Sequence, residues 1–330
     1  MITKLSDVVN AASMAAFTLF VRKAYHDNSN FLKSGIAASD PLIASRCAAA
    51  GFGGKTVNMP FWGDLTGDDN VSTDTGDITI DKISAGQDVA VITRRDKAFG
   101  ITDLAVDLAG DDPMAWIASR VGAYWARRDE AKVLATLGGI FKSGTGAGKD
   151  LVYDISSEEG TAAILGKDTL LWAAQKLGDK KGYLVAIAMN SAAETYLSSL
   201  DAQSTLYRPS TQPGMLATFN GKSIVMDDNL AYDPETKVAE IYLFGMGAVA
   251  LNDVPSKNEF EAGRDPLKNG GEDYIVTRHA GIAHVRGFKW TANTCSGATP
   301  SNAELATVAN WSKVYDVKDI RVVKLVCKLG

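Results

Sequence analysis

The segment from residue 112 to residue 142 has the strongest helix signal in the chain and constrains the fold most. Asp111 and Asp112 are capping residues, Pro113 suits the first helical position, and helix-forming and aromatic residues continue to about Lys142. About thirty residues at ~1.5 Å each make a rod about 45 Å long. An apolar stripe along one side predicts that this side packs against the rest of the chain.

The other side of this helix carries four basic residues. These are Arg120, Arg127, Arg128 and Lys132. One interpretation is a solvated face on which Asp129 and Glu130 pair locally with the basic residues. The other interpretation is a contact surface for an acidic partner.

Residues 56–65 and 77–92 have the composition of two strands joined by turn residues, which predicts a long β-hairpin. In the second strand Ile78 and Ile80 alternate with polar residues. Between residues 58 and 90, seven aspartates and a single lysine give a formal charge of −6. A two-stranded hairpin with few apolar residues is marginal in water on its own. We therefore expect the hairpin to lie on another surface.

The overall composition excludes some classes of protein. With 330 residues, 46% of them hydrophobic, the chain can bury a substantial core and is long enough for two or three lobes at about 100–200 residues each. A net charge of −5 argues against a dedicated nucleic-acid binder with a large basic face. Residues 1–57, a predicted helix over 4–25 followed by an extended arm, carry +3. Weak, non-specific contact with phosphate is the most expected of this arm.

The region after residue 148 alternates between helix and strand patterns. The predicted helices are 167–177, 192–200 and 302–310, and the predicted strands are 183–189, 223–226, 241–244, 274–290 and 320–326. Together with the hairpin and the long helix, this alternation indicates a fold that contains both helices and sheets.

The sequence contains no pattern that predicts a catalytic, cofactor-binding or metal site. Residues 143–150 resemble a phosphate-binding loop, but Ser143 replaces a required glycine and Asp150 replaces the Ser or Thr that holds magnesium. His279 and His284 are five residues apart on a strand-like segment, which points them to opposite faces. The three cysteines are far apart and form no zinc motif. We predict that the protein is not an enzyme and needs no cofactor.

Several short strings occur in a specific order along the chain. They are GGKTVNMPFW at 53–62 leading into DLTG at 64–67, WARRDE at 125–130, MNS at 189–191, RHAG at 278–281, and NW at 310–311 followed by IRVV at 320–323. Their order and spacing, and the succession of arm, hairpin, long helix and α/β region, resemble the major capsid proteins of tailed double-stranded DNA bacteriophages. That family has the Hong Kong 97-type fold, so the resemblance implies an α+β fold for this chain. The resemblance covers nearly the whole chain.

The resemblance implies a division into four parts. These are an N-terminal arm (1–57), an extended hairpin called the E-loop (58–90), a peripheral domain (91–156 and 256–330) with the spine helix at 112–142 and the C-terminal strand, and an α/β axial domain (157–255). In the family, the arm and the E-loop reach onto neighbouring subunits, and the axial loops meet at the centres of hexamers and pentamers.

The function implied is that of a structural protein that assembles with itself into an icosahedral head shell around double-stranded DNA. The expected partners are further copies of the chain, a separate scaffolding protein because the sequence starts with Met1 at the arm, a portal and a decoration protein. Contact with DNA is expected to be weak, with no membrane contact. The expected location is the virion, after assembly in the host cytoplasm. Lys82 is the only lysine of the E-loop, and no covalent crosslink through it is predicted.

We predict one specific contact between subunits. The acidic hairpin of one copy, through Asp68, Asp69, Asp74 and Asp77, is expected to lie over Arg120, Arg127, Arg128 or Lys132 on the spine helix of the next. Two alternative functions remain open from sequence. One is an encapsulin-like shell that encloses an enzyme cargo, and the other, of a different class, is a soluble α/β enzyme.

Overall fold

Two β-sheets and one long helix make up most of the structure. The computed structural model describes residues 21–49, 54–65, 67–71, 80–109, 114–200, 206–207, 217–254, 256, 258–293 and 295–330. Residues 21–28 are helical, and we call them the arm helix. Further α-helices are α1 (Asn30–Lys33), α2 (Pro41–Ala49), α3 (Asp103–Ala109), α4 (Met114–Ile140), α5 (Lys167–Ala174), α6 (Ser191–Leu200) and α7 (Asn302–Leu305). Short 3-10 segments span Lys149–Leu151, Gly160–Ala163, Gln175–Tyr183, Val308–Asn310 and Val317–Asp319.

The strands follow in chain order. They are β1 (Ala37–Ala38), β2 (Thr56–Trp62), β3 (Ala85–Val91), β4 (Thr93–Thr102), β5 (Val152–Asp154), β6 (Leu184–Met189), β7 (Leu206–Tyr207), β8 (Thr218–Phe219), β9 (Lys222–Met226), β10 (Tyr232–Asp233), β11 (Val238–Gly245), β12 (Val249–Asp253), β13 (Phe260–Asp265), β14 (Glu272–Val285), β15 (Phe288–Trp290), β16 (Trp311–Lys313) and β17 (Val322–Lys328). Strands β2 and β3 form the predicted hairpin, and β15 pairs with β16.

A five-stranded sheet supports helix α4. Strand β14 pairs antiparallel with β4 along one edge and with β12 and β13 along the other, and β1 extends the sheet beyond β12. Helix α4 packs against β14. Val121, Trp125 and Ala126 of α4 are buried with Val21 and Tyr25 of the arm helix. One side of the long helix is therefore buried, as its apolar stripe predicts.

An eight-stranded sheet contributes many residues to the largest hydrophobic core. Its order is β5, β17, β11, β6, β9, β8, β7, with β10 paired to β11. Strands β6 and β9 are parallel, whereas β11 runs antiparallel to both β6 and β17. Strand β17 is buried along almost its whole length. Burial of successive residues is typical of a strand covered on both faces, and the one buried lysine, Lys324, pairs with Glu240 at 2.7 Å.

The C-terminal strand corrects one part of the predicted division. The resemblance implies that this strand belongs to the peripheral domain, but β17 lies between β5 and β11 in the eight-stranded sheet. Strand β5, from the same predicted domain, joins this sheet as well. Pairing between strands distant in sequence does not follow from chain order, which is why the assignment was wrong. The remaining domain boundaries stay a prediction.

Several element boundaries differ from the sequence prediction. The second hairpin strand begins at residue 85 rather than 77, and residues 80–84 are not in a strand. The predicted strand 274–290 is two strands, because Gly287, with φ of 93°, lies between β14 and β15. The predicted helices 167–177 and 302–310 end early and continue as 3-10 segments. Residues 4–20 of the predicted helix 4–25 lie outside the described residues. The described part of this helix continues to residue 28, three residues beyond the predicted end.

None of the described helices combines the length and the apolar character needed to cross a membrane.

Candidate functional site

The base of the hairpin packs on its own chain. Strands β2 and β3 pair in antiparallel register from Thr56 opposite Val91 to Trp62 opposite Ala85. Apolar side chains from both strands are buried with residues of α2, β12 and β14. The expectation that the hairpin lies on another surface is therefore met, at its base, by the five-stranded sheet of the same subunit.

A buried hydrogen bond between side chains also fixes the base. Oδ1 of Asp88 lies 3.0 Å from Nε2 of His284, and its Oδ2 accepts the backbone N–H of Gly287 at 3.2 Å. Both side chains are almost fully buried. Asp88 therefore contributes to the formal charge of the hairpin without contributing to its exposed acidic surface.

Beyond Trp62 the described part of the hairpin tip is exposed. Its acidic residues, Asp64, Asp68, Asp69 and Asp81, are all exposed, and none forms an ion pair with a residue that the structure describes. Five large apolar side chains are exposed with them, namely Trp62, Leu65, Val71, Ile80 and Ile83. Two residues of the predicted contact, Asp74 and Asp77, lie outside the described residues. The tip thus presents both negative charge and apolar surface.

Three arginines of α4 are exposed, and we call Arg120, Arg127 and Arg128 the spine arginines. The guanidinium carbon of Arg120 lies 5.4 Å from the ring centroid of Trp116, and that of Arg128 lies 5.4 Å from the ring centroid of Tyr124. Such stacking orients a guanidinium group while its N–H donors stay available. Within the described ranges, no carboxylate pairs with a spine arginine.

Lys132, the fourth basic residue predicted for the contact, is buried rather than exposed. Nζ of Lys132 donates a 2.6 Å hydrogen bond to Oδ1 of Asp129, and the Lys132 side chain is only 3% exposed. A buried ammonium group needs such a partner, because burying an unpaired charge is very costly. Lys132 is therefore paired within the subunit, and we leave it out of the contact proposed below.

Asp129 is the centre of a buried polar cluster that joins three elements. Its Oδ2 accepts hydrogen bonds from Tyr25 of the arm helix at 2.8 Å and from Nε2 of His279 of β14 at 2.7 Å. Burial alone would raise the pKa of Asp129, but the charges and hydrogen bonds of His279 and Lys132 outweigh it and hold this pKa well below its usual range. The cluster holds the arm helix, α4 and the five-stranded sheet together.

One further carboxylate, Asp253, lies close enough that ligand atoms of Asp129, Asp253 and His279 are within 4.8 Å of one another. That spacing would suit a metal ion. Both oxygens of Asp129 already accept hydrogen bonds, and the ammonium group of Lys132 would repel a cation. The cluster is therefore better described as hydrogen-bonded structure than as a metal site. The two histidines bond to different elements, as their predicted opposite orientation requires.

A groove of about 450 Å³ lies beside the spine arginines. It is lined by Arg95, Asp96, Tyr124, Trp125, Arg128, Lys132, Ser296, Gly297, Thr299, Ser301 and Asn302. Glu304 holds the 296–301 loop by accepting the backbone N–H groups of Ser301 and Ser296, which lowers the pKa of Glu304 to about 2. Sequence reasoning missed this groove, although Ser301 and Glu304 form a capping box that can be recognised from spacing alone.

Comparison with solved structures identifies the fold. The capsid of Ralstonia phage GP4 matches with a TM-score of 0.56 at 13% identity, over 89% of this chain and 87% of that chain. The head structure of Helicobacter pylori bacteriophage KHP40 matches with a TM-score of 0.54 at 11% identity, over 92% and 91%. The fold is the α+β, Hong Kong 97-type fold of tailed-phage capsid proteins, as predicted.

Sequence comparison identifies the family. The family described as Major capsid protein 13-like matches residues 38–321. The major capsid protein of Bacillus phage SPP1 is 40% identical over 327 residues, which are 98% of this chain and 97% of that protein. The chain therefore belongs to this family of major capsid proteins. It is a structural, shell-forming component of a virion that associates with copies of itself and is not an enzyme. Neither the encapsulin-like nor the enzymatic alternative is supported.

Proposed function

We propose that the chain assembles through hexamers and pentamers into an icosahedral head shell around double-stranded DNA, and that adjacent copies recognise each other through the hairpin tip and the spine arginines. One observation supports this proposed contact. Each subunit presents exposed acids on the described part of the hairpin tip and exposed arginines on α4, and the described residues contain no ion pair between the two. The tip carboxylates and the spine arginines are opposite in charge, so those of two adjacent copies can pair.

The tip contributes more than charge. An individual exposed ion pair contributes only about 0–1 kcal/mol, so charge alone gives register rather than affinity. Burial of apolar surface contributes about 25 cal/mol per Å², and the tip exposes five large apolar side chains. We therefore assign affinity to the apolar side chains and orientation to the aspartates. Repetition of the contact around every capsomer multiplies both effects.

A charge-reversal experiment with rescue tests the contact. Copies with Asp68, Asp69, Asp74 and Asp77 all changed to Lys should not close shells, and copies with Arg120, Arg127 and Arg128 changed to Glu should fail in the same way. A chain that carries both sets of changes restores the complementarity between tip and helix. We expect this combined variant to form shells again, as seen by electron microscopy.

Two controls separate the contact from general charge effects. Glu158 and Glu159 are exposed and lie on neither surface, so E158K/E159K should assemble normally. Circular dichroism of each unassembled variant verifies folding. Normal shells from either single set of reversals, or failure of the combined variant although it is folded, would contradict the proposed contact.

The remaining partners belong to the same proposal. A separate scaffolding protein, a portal and a decoration protein complete the head, and assembly takes place in the host cytoplasm. The mildly basic arm supports weak contact with packaged DNA, because +3 over residues 1–57 attracts phosphate without reading sequence. Co-expression with and without the scaffolding protein, followed by electron microscopy, distinguishes assisted assembly from self-sufficient assembly.

A further inference from the structure

An apolar pocket lies between α5 and the eight-stranded sheet, far in sequence from the hairpin and the spine arginines. Its volume is about 280 Å³. Leu170 of α5, Ile187 of β6, Phe219 of β8 and Leu243 of β11 line it, and each of these side chains is at most 4% exposed. The floor is therefore apolar, and it is formed by regular elements rather than by a loop.

The rim of this pocket is cationic. Lys167, Lys181 and Lys222 all line it. Nζ of Lys222 donates to the carbonyl of Leu184 at 2.9 Å, and Nζ of Lys181 donates to Oε1 of Gln175 at 2.8 Å. In the part of the chain that the structure describes, no carboxylate pairs with any of the three.

Nearby lysines outside the rim differ in this respect. Lys180 pairs with Asp319, and Lys318 pairs with Asp179. The positive charge around the pocket is therefore a local excess and not a general property of this surface. Where three cationic groups surround an apolar cavity, the complementary ligand has an apolar body and an anionic head.

We propose that the pocket binds an anionic amphiphile, an unbranched aliphatic carboxylate whose chain contacts the apolar floor and whose head group meets the lysines. At about 30 Å³ per non-hydrogen atom, the volume of one water molecule in the liquid, the cavity holds roughly nine atoms. A chain of eight to ten carbons matches this space. The head group then lies at the rim, where the lysines replace part of its hydration.

Calorimetric titration of the unassembled full-length chain with decanoate, below its micellar concentration and at low salt, tests the proposal. We expect saturable binding of one decanoate per chain. Decyltrimethylammonium has a similar chain and the opposite charge, and it should not bind. K167Q/K181Q should raise the dissociation constant about threefold to tenfold, as expected for loss of two exposed charge contacts.

Two further variants make the test specific. K180Q removes a neighbouring lysine that does not line the pocket, and its affinity should equal that of the unmodified chain. Ala174, a buried residue of the pocket wall, becomes larger in A174L and should block binding while the rim stays intact. Absence of decanoate binding, equal binding of the cationic amphiphile, many molecules bound per chain, or unchanged affinity in K167Q/K181Q would each overturn the proposal.

Discussion

Asp129 shows how a single buried residue can hold three elements together. Its carboxylate accepts hydrogen bonds from Tyr25, Lys132 and His279, which lie on the arm helix, α4 and β14. Spacing along the helix does not separate Lys132 from the spine arginines, because four residues place it only about 40° around the helix axis from Arg128. The partners of Asp129 could not be predicted, since two of them are more than a hundred residues away in sequence.

Asp129→Asn should destabilise the unassembled chain by about 3–5 kcal/mol, because it leaves the buried ammonium group of Lys132 without its counter-charge. The effect has a defined pH dependence. The folded-state pKa of Asp129 lies below its unfolded value of about 3.9, so its ionised form stabilises the fold above about pH 4, and this contribution is lost as the pH falls through the folded-state pKa.

Denaturant unfolding between about pH 3 and pH 7 measures this contribution. D129N should show a weaker dependence of the free energy of unfolding on pH in the acid range. Asp107→Asn, at an exposed position of α3, should retain the dependence of the unmodified chain. An acid limb that is the same in D129N and the unmodified chain would show that Asp129 is not the linked group.

The crossing of the arm helix and α4 depends on a glycine at the contact point. A Cβ atom at Gly122 would lie 2.6 Å from the carbonyl oxygen of Val21 and 2.8 Å from Cβ of Ala24. The two helices therefore approach more closely than any other residue at position 122 allows. That Met114–Ile140 is helical was predictable from its composition, but this close approach was not, since it depends on the partner helix.

Gly122→Ala should displace the arm helix from α4 and destabilise the chain by about 1–3 kcal/mol, the usual cost of overpacking. Gly138→Ala is the matched control, because a Cβ at Gly138 of the same helix has no atom within 4 Å. That change should stabilise the chain by about 0.5–1 kcal/mol through helix propensity. Hydrogen exchange should show faster exchange of residues 21–28 in G122A only. Equal protection of the arm helix in the two variants would refute the account of this crossing.

Strand β4 shows where hydrophobic periodicity fails to predict a secondary-structure element. Residues 93–102 have no clear alternation of apolar and polar residues and include Arg94, Arg95, Asp96 and Lys97. The segment is nevertheless a strand, because ten consecutive residues pair with β14. Pairing with a long central strand can outweigh weak local propensity.

At the scale of the whole molecule, the fold class followed from the order of motifs, whereas the distribution of strands between sheets did not. Local sequence indicates that Val322–Lys328 is a buried strand, but it contains no information about the strand's neighbours. The same limit applied to the contact surface. The distribution of charge along the sequence identified the acidic hairpin and the basic helix. Only the structure shows that Asp88 and Lys132 are buried and do not belong to the exposed charged surfaces.

Assembly directed by opposite charges should depend on salt. At about 0.15 M ionic strength the Debye length is about 8 Å, and at 1 M it is about 3 Å, so contact between exposed charges is weaker at high salt. We expect the rate of shell formation, followed by light scattering, to fall as salt rises. The combined tip and helix reversal should show the same salt dependence, whereas a rate that increases steadily with salt would indicate apolar association alone.

Electron cryomicroscopy of assembled shells, at a resolution that shows side chains, tests the central claim most directly. The account predicts that the hairpin tip of each subunit crosses α4 of an adjacent copy, with a carboxylate oxygen of Asp68, Asp69, Asp74 or Asp77 within 4.0 Å of a nitrogen of Arg120, Arg127 or Arg128. Closed shells in which the tip lies elsewhere and the three guanidinium groups face solvent would contradict it.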